Sequence, residues 1–456
     1  MPNVRANVKP NTEKALTPLA YVIRAITLIN HKGEKADIQN IVTDFSITES
    51  LYSAGMMLRL SIKDTANFIE EYQLIGQEII EVNIGRHDYT SPDWIDVKLK
   101  FWVTEYPVYG RDRQHNTQVY SITGITQHAY ASQFKIISRG ISGLVSDEIR
   151  RVFENDVQTP KIGTWDKTAS RFSGVLPLLH PLDAAYWLLR RAYDDQSAPF
   201  FLYETLRGGV NLSSLTNLIS KEKNPIYRTY NDGRYYSTEP GSIEDFYERL
   251  NRIYTIASDF KLSKVLPTVA NGAYASSNAY LDIATKTIKT EIFDYQKKLN
   301  SANTLNGNTV LSDKFKVPMI DEPKISDTFN GFTEYFPTNS LSYSSDGSIF
   351  NYHTLMVNRA GMYNSKVETL DTIVHDVTVA GDFNMCSGKK IILQVPKSID
   401  PEEFEISILK GNADELYDRT ISGIYLVTGV VHQFSSQYFC KLRLKRDSFT
   451  YDVNKS

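Results

Sequence analysis

The chain has 456 residues, and its 50 Lys and Arg stand against 53 Asp and Glu for a formal net charge of −3. That near balance argues against a sequence-independent nucleic-acid binder, which needs a basic face; the length predicts roughly three domains, each able to bury about 70% of its unfolded surface. Two cysteines, Cys386 and Cys440, lack Cys-x-x-Cys spacing and a neighbouring His set, so they read as buried free thiols and not as a disulfide framework or zinc site.

Residues 1–18 are polar, without the apolar core of a secretory signal, and read as a tail. The longest apolar stretch, Leu16 to Ile29, is short and broken by Arg24, so no membrane insertion is expected and the chain is expected to be made in the cytoplasm. Tyr21 to Ile29 reads as a first strand, with a turn at His31-Lys-Gly33-Glu. Ile38 to Thr48 and Gly55 to Ile62 predict a hairpin, because Met56, Leu58, Leu60 and Ile62 alternate with Met57, Arg59 and Ser61. Asp64 is a candidate N-cap for a short helix through Tyr72, which carries Phe68 and Ile69 inward. Gly76 to Ile84, Ile95 to Tyr106 and Thr117 to Ile125 complete a β-unit of about six strands, enough to curl into a barrel or sandwich.

Beyond Gly140 the pattern changes to short helices, Leu144 to Phe153 and Leu182 to Tyr193, the second with Leu182, Ala185, Tyr186, Leu189 and Ala192 on one face. Pro199 to Ile219 reads as strand, Gly208-Gly209 turn, strand and helix. A helix is predicted over 242–257, capped by Ser242, whose apolar stripe reads as core packing. A strand follows around Thr285 to Phe293, and then come Asn- and Ser-rich stretches, Asn300 to Asn308 and Asn339 to Asn351, that read as long loops or a partner-contacting extension.

The C-terminal part returns to strands: Gly388 to Val395, Ile421 to Phe434, and Tyr438 to Leu444 with near-alternating polarity, the last two joined through Ser435-Ser436-Gln437. The same order of pieces stands about 320 residues earlier, where Gly76-Gln-Glu-Ile79-Ile80 matches Gly388-Lys-Lys-Ile391-Ile392, Trp102-Val-Thr104 matches Leu426-Val-Thr428, and Thr117 to Ile125 matches Tyr438 to Leu444. Two copies of one β-unit are therefore expected, the second split by an insertion.

Catalytic signatures are absent: no His-Glu-x-x-His, Gly-x-Ser-x-Gly, Gly-x-Gly-x-x-Gly or phosphate loop, and the eight His are scattered without metal-ligand spacing. His432 reads as a sheet histidine satisfied by its neighbours. The acid pairs Glu70-Glu71, Asp194-Asp195 and Glu402-Glu403 are adjacent in sequence, whereas a glycosidase needs two acids facing each other across a substrate. Neither enzyme chemistry, nor a cofactor, nor a metal is expected. Lys441, Arg443 and Lys445 fall at alternate positions of the last strand and share one face, able to meet an acidic partner or water.

Two phrases, Pro199-Phe-Phe-Leu-Tyr-Glu-Thr-Leu206 with Ser214-Leu-Thr-Asn-Leu218, and Gly423-Ile-Tyr-Leu-Val-Thr-Gly-Val-Val-His432 followed by Leu442-Arg-Leu-Lys-Arg-Asp447, resemble the tail hub proteins of contractile-tailed bacteriophages. That resemblance implies two tube-like β-domains per chain in a homotrimer, a pseudo-sixfold ring that accepts the hexameric tail tube at one end and the trimeric spike at the other. Related proteins serve type VI secretion and other contractile injection systems. The implied partners are tail tube, spike and other baseplate (wedge) proteins, with genomic DNA passing through the lumen unbound, and the implied place is the virion tail baseplate, assembled in the host cytoplasm. The lumen-facing strands should then carry few unpaired cations.

The expected fold is mainly β with α+β insertions: two tube-like antiparallel β-barrel domains and a mixed α/β domain. Its expected plan is an N-terminal tail (1–18), a first β-domain (19–140), a helical linker domain (141–198), a second β-domain in two pieces (199–232 and 366–451), an inserted α+β domain (233–365) and a C-terminal tail (452–456). The candidate assembly interface is Trp102, Thr104, Leu426 and Thr428, with Lys441, Arg443 and Lys445. A tail-associated peptidoglycan hydrolase, a carbohydrate-binding adhesin and a hub of a non-phage injection system are the competing readings.

Overall fold

The computed structural model describes residues 19–87, 94–106, 108–112, 117–159, 161–220, 226–228, 249–256, 264–298, 304–339, 342, 349–397 and 417–453. Its first part is a run of antiparallel strands: β1 (Val22–Ile29), β2 (Lys35–Asp37), β3 (Val42–Ser50), β4 (Met57–Asp64), β5 (Ile79–His87), β6 (Trp94–Glu105), β7 (Val108–Asp112) and β8 (Thr117–Thr126). In the sheet they lie in the order β3-β4-β8-β6-β5-β1-β2, with β7 hydrogen-bonded to β8. The alternation in β4 has the expected result: Leu58, Leu60 and Ile62 enter the core while Met57, Arg59 and Lys63 face out. The expected cap is displaced: the helix is only Phe68–Glu71 with Asn67 at its N-cap position, and Asp64, three residues earlier, accepts the amides of Ala66 (2.9 Å) and Phe68 (2.7 Å) in the turn that leads into it.

Next come β9 (Gly140–Leu144), the helix Val145–Arg151 continuing as a π-turn through Asp156, β10 (Ile162–Trp165), β11 (Arg171–Val175), the helix Pro181–Leu189, β12 (Phe200–Thr205), β13 (Gly209–Ser214) and the helix Leu215–Ser220. The β12–β13 hairpin has the predicted form, but its neighbours differ from those expected: β13 pairs with β10, not with a strand of the C-terminal unit. Phe200, Leu202, Val210 and Leu212 share one core with Ile141, Val145, Ile149, Phe153, Ala184 and Leu188. The opposite face of β12, with Phe201 and Tyr203, packs against Leu51, Leu370 and Leu426. A strand buried on both faces shows no alternation, so its sequence does not say which sheet it joins.

Then follow β14 (Ile226–Arg228), β15 (Ile253–Ile256), β16 (Ala275–Asp282), β17 (Thr287–Asp294), β18 (Thr333–Thr338), β19 (Ile373–Ala380), β20 (Lys390–Gln394), β21 (Gly423–Phe434) and β22 (Tyr438–Arg446). β15 corrects the C-terminal end of the helix predicted over 242–257; its proposed cap, Ser242, lies outside the described residues, as do Glu402, Glu403 and much of 339–351. β16, β17 and β18 form a separate small sheet beside the 22-residue helix Ile349–Leu370, whose Gly361 lets the backbone approach the ring of Phe293. The polar stretch contributes a loop, 304–311, that is docked: Leu305 donates to Asp447 (3.0 Å), and Asn306 both donates to Ile424 O (3.2 Å) and accepts from Ile424 N (2.8 Å).

The sheet order repeats. The neighbours β15-β19-β22-β21-β20 reproduce β3-β4-β8-β6-β5, strand for strand and in the same chain order, and the register is kept as well. Val42↔Ile62 and Asp44↔Ser61 on β3 and β4 correspond to Ile253↔Val379 and Thr255↔Thr378 on β15 and β19, with a bulge between the two pairs in each copy. Trp102↔Ile125, Val103↔Gly124 and Glu105↔Thr123 correspond to Leu426↔Lys445, Val427↔Leu444 and Gly429↔Arg443, with a bulge at Thr104 and at Thr428. Gly76 and Gly388, ahead of β5 and β20, both have positive φ (90° and 82°), which favours glycine. The second copy is interrupted between β15 and β19, the position of the tight β3–β4 connection in the first. The two copies join where β21 pairs with β3, giving one 14-stranded sheet.

Candidate assembly interface

The seven residues singled out from the sequence fall in two classes. Thr104, Lys441 and Arg443 are exposed and Trp102 is half-buried, its indole stacked near Tyr130 with centroids 6.5 Å apart. Leu426, Thr428 and Lys445 are instead enclosed by their own chain. Leu426 packs with Leu51, Phe201, Leu215 and Leu370 because β12 and the Leu215–Ser220 helix cover that side of β21. Thr428 donates from Oγ1 to Arg443 O at 3.2 Å, as Thr104 does to Thr123 O at 3.2 Å. The shared hydroxyl bond stabilises the same bulge in both copies.

Lys445 does not share an open cationic face with Lys441 and Arg443. Its ammonium pairs with Asp371, donates to the Tyr52 hydroxyl (3.1 Å) and lies 4.8 Å from the centre of that ring. Burial works to lower its pKa, but Tyr52 and Asp371 outweigh it and hold the group above its usual value. Arg446 is also internal, donating to Ser422 O (2.7 Å) with its guanidinium 4.8 Å from the Tyr425 ring. The strand end thus hides two of its four cations, Lys445 under Asp371 and Tyr52 and Arg446 under Ser422 and Tyr425.

The joint between the copies holds a polar cluster that sequence reasoning missed. Glu49 on β3 is fully buried; its carboxylate accepts from the Leu206 amide, from the Ser387 amide (3.1 Å) and from His432 Nε2 (3.3 Å). Three distant stretches thus converge on one side chain: the first unit, the β12–β13 turn and the second unit. His432 Nδ1 contacts the Tyr438 hydroxyl (2.8 Å) and Cys440 Sγ (3.4 Å). Burial lowers the imidazole pKa, but Cys440 and Glu49 together raise it to about 10. The satisfied sheet histidine expected from the sequence is therefore found with a charged partner.

A second acid makes a parallel clasp. Glu204 on β12 accepts from Met56 N (3.0 Å) and Thr126 Oγ1 (2.7 Å), and His128 Nε2 lies 3.4 Å away; burial raises its pKa, with His128, Thr126 and Met56 pulling it back in part. These acids hold elements together and do not face a cleft. Glu70 and Glu71 are exposed on a short helix, and Asp194 closes a turn by accepting from Gln196 N (2.9 Å) and Ala198 N (2.8 Å). Neither cysteine is in a disulfide; Cys440 is buried and Cys386 half-buried. Both partners of the Cys440–His432 contact are fully buried. A cleft of about 360 Å³ lies between the β12–β13 turn and the second unit, and its cations Arg207 and Lys389 both bind Asn384. Among the described residues no group of His, Cys, Asp and Glu is placed to hold a metal, and no helix is long and apolar enough to cross a membrane.

Compared as a sequence, the chain matches no protein-family model and no curated protein. Compared as a structure, it is similar to a tail protein of Neisseria meningitidis MC58, at 11% identity and TM-score 0.50, over 95% of this chain and 99% of that one. The 43 kDa tail protein of prophage MuSo2 from Shewanella oneidensis gives 11% identity and TM-score 0.50, over 93% and 99%. A component of the Escherichia coli type VI secretion system aligns more loosely, at 8% identity and TM-score 0.34 over 96% and 79%. Along nearly its whole length, the chain has the fold of phage tail proteins.

Proposed function

We propose that this chain is a structural hub at the centre of a tail baseplate. Three copies close into a pseudo-sixfold ring that joins a hexameric tail tube to a trimeric spike, with wedge proteins outside and DNA passing through the lumen during ejection. The observation that carries the reading is the repeat: two units with one strand order and one register let three chains present six similar sheets to a sixfold partner. The likeness to two tail proteins over most of the chain supports it. In this reading Trp102, Thr104, Lys441 and Arg443 remain available for contacts between subunits or with the tube, and the protein acts in the virion tail without enzymatic activity. As domains, the first unit (19–140) and the second (226–256 with 373–451) flank a 141–220 domain that holds the β12–β13 hairpin, and 264–370 is the insertion.

Light scattering on the purified protein tests this. A mass near three times 51.8 kDa, with six lobes in averaged images, is the expected result. A species that stays monomeric even when mixed with tail tube and spike proteins overturns the hub reading.

A further inference from the structure

The joint between the two units has a counterpart that the chain itself leaves open. β21 meets β3 through the half lying beyond the Thr428 bulge, from Gly429↔Ser50 to Phe434↔Phe45, and the rings of Phe45 and Phe434 stack with centroids 4.5 Å apart. In the first unit the stretch beyond the Thr104 bulge leads through Glu105 into β7, which pairs with β8 as this half of β21 pairs with β22. In the second unit the place of β3 is taken by β15. Among the described residues β7 has a strand partner on its β8 side alone, and β15 ends the sheet against β19.

The registers turn this into a residue pair. Arg111 lies opposite Gln118 on β8 as Phe434 lies opposite Tyr438 on β22. Ile256 lies opposite Val377 as Phe45 lies opposite Leu60. The counterpart of Phe45↔Phe434 is therefore Ile256↔Arg111. One chain cannot form it, because β8, β4, β3, β21, β22 and β19 lie between β7 and β15 in the sheet.

We infer that β7 of one copy pairs antiparallel with the β15 strand of a second copy, Arg111 opposite Ile256, so that the joint inside each chain and the joint between chains are one contact made twice. Such a contact is heterologous, and heterologous contacts run on until the rotation closes a ring. It also removes two sheet edges that would otherwise invite unspecific pairing. The inference rests on the hub reading for the number of copies, not for the contact.

The test places cysteines at the paired positions of the full chain, R111C with I256C, since facing residues of an antiparallel pair fall within the Cα separation a disulfide spans. Oxidation should give a non-reducing ladder that stops at three chains and is lost in either single variant and in the off-register pair R111C with T255C. Nitroxide labels at 111 and 256 supply a second readout, dipolar broadening on assembly. An oligomer by light scattering with neither cross-link nor broadening overturns this joint and leaves the ring standing. A ladder that runs beyond three supports the joint and overturns trimeric closure. A chain that stays monomeric and never cross-links, even when mixed with tail tube and spike proteins, overturns both.

Discussion

The two β-units have the same backbone register and different side-chain surroundings. In the first, Asp44 accepts from Ser61 (3.0 Å) at the position where the second has Thr255 donating to Thr378 (2.7 Å). Trp102 is half-buried where Leu426 is wholly buried, and Thr104 is exposed where Thr428 is enclosed. The difference follows from what lies outside each sheet: β12 and its helix enclose β21, whereas at the matching position of β6 the Trp102 ring meets Tyr130 and stays half-buried. Strand pairing is set by backbone hydrogen bonds and bulges, so it survives changes that side-chain packing does not.

The sharpest way to break the comparison is at the joint. Glu49→Ala leaves the Leu206 and Ser387 amides and His432 without their shared acceptor, and removal of one partner from a buried charged pair costs about 3–5 kcal/mol. Urea unfolding should show a loss of that size, and Glu49→Gln, which keeps one acceptor oxygen, a smaller one. Loss under about 1 kcal/mol would mean that the two units do not depend on this clasp.

Core deletions at matched positions should differ. Leu426→Ala removes a fully buried side chain between two layers and is expected to cost about 2–5 kcal/mol. Trp102→Ala, at the same register position, leaves its cavity open to solvent and should cost less in the isolated chain. Equal losses would contradict the difference in burial.

Two histidines of the second unit sharpen the comparison through pH. His432 has a folded-state pKa raised to about 10, so its contribution is full below about 6.5, the unfolded value, and fades as pH rises toward 10. Facing it are Glu49, Tyr438 and Cys440. His375 is the opposite case: burial and then Arg446 lower its pKa to about 4, so its contribution is full above about 6.5 and fades as pH falls toward 4. His432→Gln should flatten the alkaline limb of stability against pH and His375→Gln the acidic limb, each by a slope of at most about 1.4 kcal/mol per pH unit. Exchanged limbs would show that the charge states are assigned the wrong way round.

How much of this was legible depended on whether the signal was local. Tyr438 to Leu444 alternates, Ser435 to Gln437 turns, and Trp102-Val-Thr104 beside Leu426-Val-Thr428 carries the bulge threonine, so the strands, the hairpin and the repeat could be read. β19 reads Ile-Val-His-Asp-Val-Thr-Val-Ala with both faces largely buried, and the helix Ile349–Leu370 contains three Asn, Gly and Thr, weak helix formers, so neither stood out. The partners of Glu49 were out of reach: His432 is 383 residues away, and only the β21–β3 pairing brings them together. Exposure of Lys445 was misjudged for the same reason, since Asp371 and Tyr52 come from outside its own hairpin.

The smallest expected effect is the most specific to the repeat. Thr104 and Thr428 make the same bond to the strand opposite, at the same bulge and at the same 3.2 Å, one in solvent and one in the interior. Removing a buried hydroxyl that hydrogen-bonds a strand carbonyl costs about 1 kcal/mol, and water can replace an exposed one. Thr428→Ala should therefore lower stability by about that amount and Thr104→Ala by a few tenths. In the assembled ring the balance should shift: if Thr104 lies against a neighbouring chain, Thr104→Ala will cost more in the trimer than in the separated chain, while Thr428→Ala will cost the same in both. A Thr104→Ala loss that is identical in the two states removes Thr104 from the interface and leaves its hydroxyl with only the bulge to stabilise.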